Sequence, residues 1–143
     1  MAFESIAGEA DFAEAWDILA ESVGDRTPAG RQQLCTLYLT SPDMALYCWR
    51  MGGSVAGVIG ARVAGRNPAE GEIRHIAVSR ALRHQGIGRA LIAALSALYP
   101  GVRNWSAETD DDSVGFYRRL GCEVRSLGEL YPGVVRYRCT LRN

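Results

Sequence analysis

The chain has 143 residues, 48% hydrophobic and 22% charged, the size and balance of a single globular domain over positions 1–143 rather than a fibrous or disordered chain. Sixteen arginines, with no lysine, balance sixteen acids, so the overall basicity of a nucleic-acid binder is missing. No apolar run reaches the roughly 18 residues of a membrane span, and five acids among the first 20 residues interrupt any secretory leader; a cytoplasmic protein with no membrane or nucleic-acid partner is expected.

A short apolar start at 3–6 reads as a strand. Asp11 and Glu14 form a capping-box-like pair, and Phe12, Ala15, Trp16 and Leu19 then recur at helical spacing. Thr27-Pro28 supplies a cap and a first-turn proline for a second helix, which carries Leu34, Leu37 and Tyr38 on one side and stops before Pro42. Strand-like runs at 45–51 and 54–63, joined by Gly52-Gly53, predict a hairpin, and Glu70–Val78 a third strand. From 86 to 99 the stripe Ile87, Ala90, Leu91, Ala94, Leu95 and Leu98 marks an amphipathic helix stopped by Pro100-Gly101. A short strand follows at 102–108, then a short helix at 112–120 closed by Gly121. Strands at 122–126 and 134–141 end the order; in the last, Val135, Tyr137, Cys139 and Leu141 alternate with Arg136, Arg138 and Thr140. This order describes an α/β domain with a mainly antiparallel sheet at its start, not a doubly wound one.

Charge is unevenly spread along that order. Residues 1–72 carry ten acids and five arginines, whereas residues 73–143 carry six acids and eleven arginines. Between Ile73 and Ala107 there is no acid, only Arg74, Arg80, Arg83, Arg89 and Arg103. Within this stretch, Arg83-His84-Gln85-Gly86-Ile87-Gly88-Arg89-Ala90 leads from a strand into the long helix. Two glycines let the backbone approach a ligand closely, and the first-turn amides of the helix lack intrahelical partners. With the helix dipole, such a turn favours a phosphate. The scattered Cys35, Cys48, Cys122 and Cys139, with only His75 and His84, offer no metal-ligand spacing, so free thiols and no metal are expected.

Arg83-x-x-Gly86-x-Gly88 resembles the Arg/Gln-x-x-Gly-x-Gly/Ala signature of the GNAT superfamily of N-acetyltransferases. The preceding Glu72-Ile73-Arg74-His75-Ile76-Ala77-Val78 is similar to that family's central strand. Phe116-Tyr117-Arg118-Arg119-Leu120-Gly121-Cys122 resembles its Tyr-x-x-x-Gly-Phe element, with Cys122 where phenylalanine is usual. The element order also matches, so the resemblance spans nearly the whole chain. It implies a GNAT-type acyl-CoA N-acyltransferase fold, with a mixed, mostly antiparallel central sheet, splayed central strands and flanking helices. It also implies acetyl-CoA as cosubstrate and a small-molecule or peptide amine as acceptor. Arg83, His84 and the amides of Gln85, Gly86, Ile87, Gly88, Arg89 and Ala90 would then hold the pyrophosphate. The edge formed by Ile76, Ala77 and Val78 would hydrogen-bond the pantetheine arm like a neighbouring strand.

Acetyl transfer to an amine needs a neutral nucleophile, a stabilised thioester oxygen and a proton for the departing thiolate. Tyr117 resembles the family tyrosine that protonates the sulfur. Glu72 sits where some relatives place their general base. By simple alternation it shares a strand face with Arg74, Ile76 and Val78, and the cation would weaken it as a base. His75 then points the other way and reads as a packed histidine. Asp110-Asp111-Asp112 suits the N-terminus of the short helix, and Ser113 and Phe116 face the cofactor in relatives. The alternative is a non-catalytic acyl-CoA sensor or interaction domain of the same fold. Acceptor choice is expected to lie in the two N-terminal helices and the 128–134 loop. Dimerisation is common in the family, so the resemblance leaves a homodimer open.

Overall fold

The computed structural model describes residues 2–143. Seven strands form one sheet: β1 (Ala2–Ser5), β2 (Met44–Met51), β3 (Ser54–Arg62), β4 (Glu70–Val78), β5 (Asn104–Asp110), β6 (Glu123–Tyr131) and β7 (Val134–Arg142). Their spatial order is β1-β2-β3-β4-β5-β7-β6, and β4–β5 is the one parallel pair among the described residues. The helices are α1 (Glu9–Leu19), α2 (Pro28–Thr40), α3 (Ile87–Leu98) and α4 (Val114–Arg119). No described helix is long and apolar enough to cross a membrane.

Helix ends follow local chemistry. The Thr27 hydroxyl accepts from the Gly30 amide at 3.1 Å and Pro28 opens α2, as its sequence predicts. At α1 the expectation was different. Gly8 is the N-cap with no side-chain bond, and Glu9 and Asp11 lie in the first turn, where the dipole favours carboxylates. The second-last strand is also longer than the 122–126 run suggests. β6 continues to Tyr131 because β7 pairs with it to Val134, absorbing irregularities near Gly128 and Leu130.

The sheet separates two cores. On one face α1 and α2 bury Phe12, Ala15, Leu19 and Tyr38 against Leu46, Cys48, Val58 and Ala77. On the other, Ile87, Leu91, Leu95, Val114 and Tyr117 pack on Ile59, Ile73, Trp105, Ala107 and Cys139. Of the stripe read in 86–99, Ile87, Leu91 and Leu95 form the buried face of α3 together with Ile92, whereas Leu98, in the last turn, is 52% exposed.

One irregularity decides the faces of β4. Ala61 pairs with Ile73 but Gly60 pairs with His75, so Arg74 is an extra residue in β4. Such a bulge exchanges the faces beyond it. Ile73 and, after the bulge, Ile76 and Val78 belong to the α3–α4 core, whereas Ala77 belongs to the α1–α2 core. Strict alternation, which groups Glu72 with Ile76 and Val78, therefore fails at Arg74.

Candidate active site

Parallel pairing of β4 with β5 covers only Glu70, Gly71 and Glu72, opposite Asn104, Trp105 and Ser106. Beyond that point β4 continues to Val78 while β5 leaves it to pair with β7 as far as Asp110. The strands separate and leave a cleft of about 1050 Å³, bordered by Ile76, Ala77 and Val78 on one side and Glu108, Thr109 and Asp110 on the other. That volume is at the upper end for small-molecule sites and suits an elongated ligand. The edge of β4 facing β5 has no strand partner there, so an amide-bearing arm can hydrogen-bond along it.

The α3 N-terminus closes one end of the cleft. Gly86 caps it at φ 84°, a left-handed conformation that favours glycine, after His84 at φ 64°. Ala90 N–H is bonded to Gly86 O at 3.0 Å, so it is spoken for; the free first-turn donors are Ile87, Gly88 and Arg89. His84, Gly86, Ile87, Gly88 and Arg89 border the cleft, whereas Gln85 and Ala90 lie outside its wall. Arg89 Nη2 donates to Arg119 O at 3.0 Å, tying this turn to the end of α4. A Cβ on Gly88 would stand 2.9 Å from the Phe116 ring, so the ring fills the space that glycine leaves.

The acid-free segment acquires an acid through the fold. Glu21, in the 3-10 turn after α1, pairs with both Arg80 and Arg83, and Arg83 Nε also donates to Val78 O at 3.1 Å. Hydrogen bonds and charge from the two guanidiniums hold the Glu21 carboxyl below its ordinary range. Nothing local in the sequence signals this contact, since Arg80 and Arg83 lie about sixty residues away.

On the α3–α4 face, Tyr117 is buried at 6% exposure and borders the cleft. Burial raises its phenol above the usual value, with smaller pushes from Cys139 and Cys122, so it stays protonated at neutral pH. Fully buried, unpaired side-chain nitrogens and oxygens are confined, among the described residues, to the indoles of Trp49 and Trp105. The unpaired Tyr117 hydroxyl is therefore not fully enclosed, and its residue lines the cleft. Ser113 and Phe116 border the same wall, as does Thr109, a buried polar residue that sequence reading did not single out. Asp110 Oδ1 accepts from the amides of Asp112 and Ser113 at 3.1 Å, which organises the turn into α4.

On the α1–α2 face the two β4 candidates part company. Glu72 is paired with Arg74 at 3.1 Å and does not border the cleft. His75 does border it, and its Nδ1 lies 2.6 Å from the Tyr38 hydroxyl of α2. Burial, with the nearby Arg74 charge, lowers the imidazole to about 4, so it is neutral near pH 7. It is packed, as its sequence position suggests, and it is also a wall of the site.

A seven-stranded, mostly antiparallel sheet opened between two parallel central strands, beside a glycine-capped helix, defines a GNAT-type acyltransferase fold. The sequence model of the Acetyltransferase (GNAT) family matches residues 11–122, and the chain belongs to that family. A putative GNAT acetyltransferase from Desulfovibrio desulfuricans superposes with a TM-score of 0.81 at 22% identity, over 99% of this chain and 98% of that one. The ribosomal-protein-S18-alanine N-acetyltransferase of Escherichia coli gives 0.77 at 18% identity, over 99% and 92%. An aminoglycoside 6'-N-acetyltransferase complexed with coenzyme A gives 0.82 at 13% identity, over 99% and 97%. These three are likenesses of fold. In sequence, an uncharacterized N-acetyltransferase from the lysA 3' region of Bacillus methanolicus is 41% identical over 69 residues, spanning 48% of this chain and 56% of that relative.

Proposed function

We propose that the protein transfers an acetyl group from acetyl-CoA directly to a primary amine of a small molecule or peptide. The observation that carries this is the early end of the β4–β5 ladder at Glu72 and Ser106, beside free α3 amides and an unpaired Tyr117 hydroxyl. Family membership supports the same reading. The site fits the cofactor at both ends. Ile87, Gly88 and Arg89 N–H groups would hold the pyrophosphate, with Arg83 drawn in from Glu21, and the β4 edge would hold the pantetheine. The bound thioester supplies the acetyl group. Tyr117 donates its proton to the departing sulfur, a role that its protonated state at neutral pH allows. The amine approaches from the opposite, α1–α2 face, where α1, α2 and the β6–β7 turn set its identity.

Calorimetric titration with CoA and acetyl-CoA, followed by thiol release with a panel of primary amines, tests this reading. Binding together with amine-dependent release is the expected result. Binding without release from any amine would favour a sensor, and no binding would remove the site.

A further inference from the structure

The imidazole of His75 has no task in the mechanism above, yet three elements hold it at the gap. The bulge at Arg74 turns it to the α1–α2 face, just past the last β4–β5 pair. Its Nδ1 meets the Tyr38 hydroxyl at 2.6 Å, with the rings edge to face and 5.6 Å between centroids. Gly60, its register partner on β3, admits the phenol, because a Cβ there would stand 2.1 Å from the Tyr38 oxygen. The second ring nitrogen, Nε2, has no partner among the described residues. It is not fully enclosed, and His75 is one of the residues that line the cleft.

Tyr117 and His75 thus flank the gap from opposite faces of the sheet. Resting on the acetyl-transfer reading, we propose that His75 Nε2 is the catalytic group that takes the proton lost by the attacking amine, and that Tyr38 is its positioning residue. The role uses the tautomer in which Nδ1–H donates to the Tyr38 oxygen, one of the two that this contact admits, so that the Nε2 lone pair is left for the substrate. The amine nitrogen bonds to the thioester carbonyl carbon, and the carbon–sulfur bond breaks with its electron pair going to sulfur. One proton passes from nitrogen to Nε2, while Tyr117 gives its own to sulfur. The imidazolium then returns its proton to water and the phenolate regains one, leaving an amide and a free thiol. Burial keeps the ring neutral and ready to accept near pH 7, and the Arg74 charge limits its basicity. It therefore acts once attack has made the nitrogen acidic. Glu72, the β4 carboxylate considered for the same role, is paired with Arg74 and does not line the cleft.

The test is single-turnover transfer from acetyl-CoA to n-butylamine, spermidine, an aminoglycoside and a peptide with a free N-terminal alanine, alongside CoA calorimetry. His75→Gln is expected to slow transfer about 10²-fold or more, with CoA affinity unchanged. Imidazole added to solution is expected to restore rate to His75→Ala while pyrazole, a ring of the same shape but far weaker basicity, restores less, a difference that a packing role would not give. Tyr38→Phe is expected to slow transfer by a smaller factor and to move the His75 ring nitrogen resonances as the tautomer is released. If glutamine loosens the packing, His75→Asn keeps a polar atom near Tyr38 and serves in its place. A wild-type rate in the folded His75 variants, failure of imidazole rescue, or a larger loss in Glu72→Gln than in His75→Gln overturns the proposal. A wild type that binds CoA but acetylates none of the amines overturns the acetyl-transfer reading, and this assignment with it. A wild type that does not bind CoA overturns the cofactor site itself.

Discussion

Tyr117 combines a buried ring with an unpaired hydroxyl on a residue that lines the cleft, so packing and the proposed proton donation can be separated by one atom. Tyr117→Phe keeps the ring among Val114, Phe116 and Cys139 and is expected to fold and bind CoA normally. Single-turnover transfer should fall by about 10²–10⁴-fold, the usual worth of a general acid. An unchanged single-turnover rate would leave the ring with packing alone. His75 carries a second prediction, about stability. Its native value near 4 lies below the 6.5 of an unfolded chain, so above about pH 6.5 neither state binds the proton and no stability is lost. As pH falls from about 6.5 to 4 the unfolded chain gains a proton that the native state refuses, removing up to about 3 kcal/mol. Urea unfolding at pH 7.0, 6.0 and 5.0 should show this slope, and His75→Gln should flatten it. The lowered carboxyls of Glu14, Glu21 and Asp25 act at lower pH, so the upper part of the window isolates the imidazole.

Among the elements, the turn into α3 separates two uses of glycine. Gly86 has nothing within 4 Å of a built Cβ, but its φ of 84° penalises any side chain. Gly86→Ala should therefore cost about 1 kcal/mol of stability and weaken CoA binding through the displaced turn. Gly88 lies inside the helix, where alanine is favoured, but its Cβ would meet Phe116. Gly88→Ala is expected to leave the melting temperature near wild type while shifting the Phe116 ring and weakening CoA. Equal CoA affinity in both variants and the wild type would remove the pyrophosphate from this turn. The glycines were visible in the sequence because backbone needs are local. So were α3, from its stripe, and α2, from Thr27-Pro28. The β4 bulge was not, because an extra residue shows only against its partner strand, and Glu72 to Val78 reads as unbroken alternation. The bulge is why alternation put Glu72 on the face of Ile76 and Val78 and His75 on the other. The length of β6 was hidden likewise, since exposed residues such as Glu129 and Tyr131 are strand only through pairing with β7.

Across the whole molecule, the sequence divides charge into an acidic first half and a basic second half, and the fold ties them together at the cleft. Glu4 and Glu14 meet Arg50 and Asp43 meets Arg62 within the first half, whereas Glu21 reaches across to Arg80 and Arg83. The last contact joins the turn after α1 to the end of the cleft proposed to hold phosphates, while α1 itself packs on the face proposed for the amine. A ligand that draws Arg83 onto its phosphates must loosen Glu21, and a ligand that repositions α1 pulls the other way. Two occupants of the cleft then share one coupling free energy, and between equilibrium affinities such coupling is reciprocal. The factor by which CoA changes the affinity for an amine must equal the factor by which that amine changes the affinity for CoA. Glu21→Gln cuts the tie and should bring both factors towards one, measured by titrating each ligand in the absence and presence of the other. An unchanged factor would assign the Glu21 pairs to the surface alone; a factor near one would make the first helix of the chain a sensor of the cofactor bound beyond it.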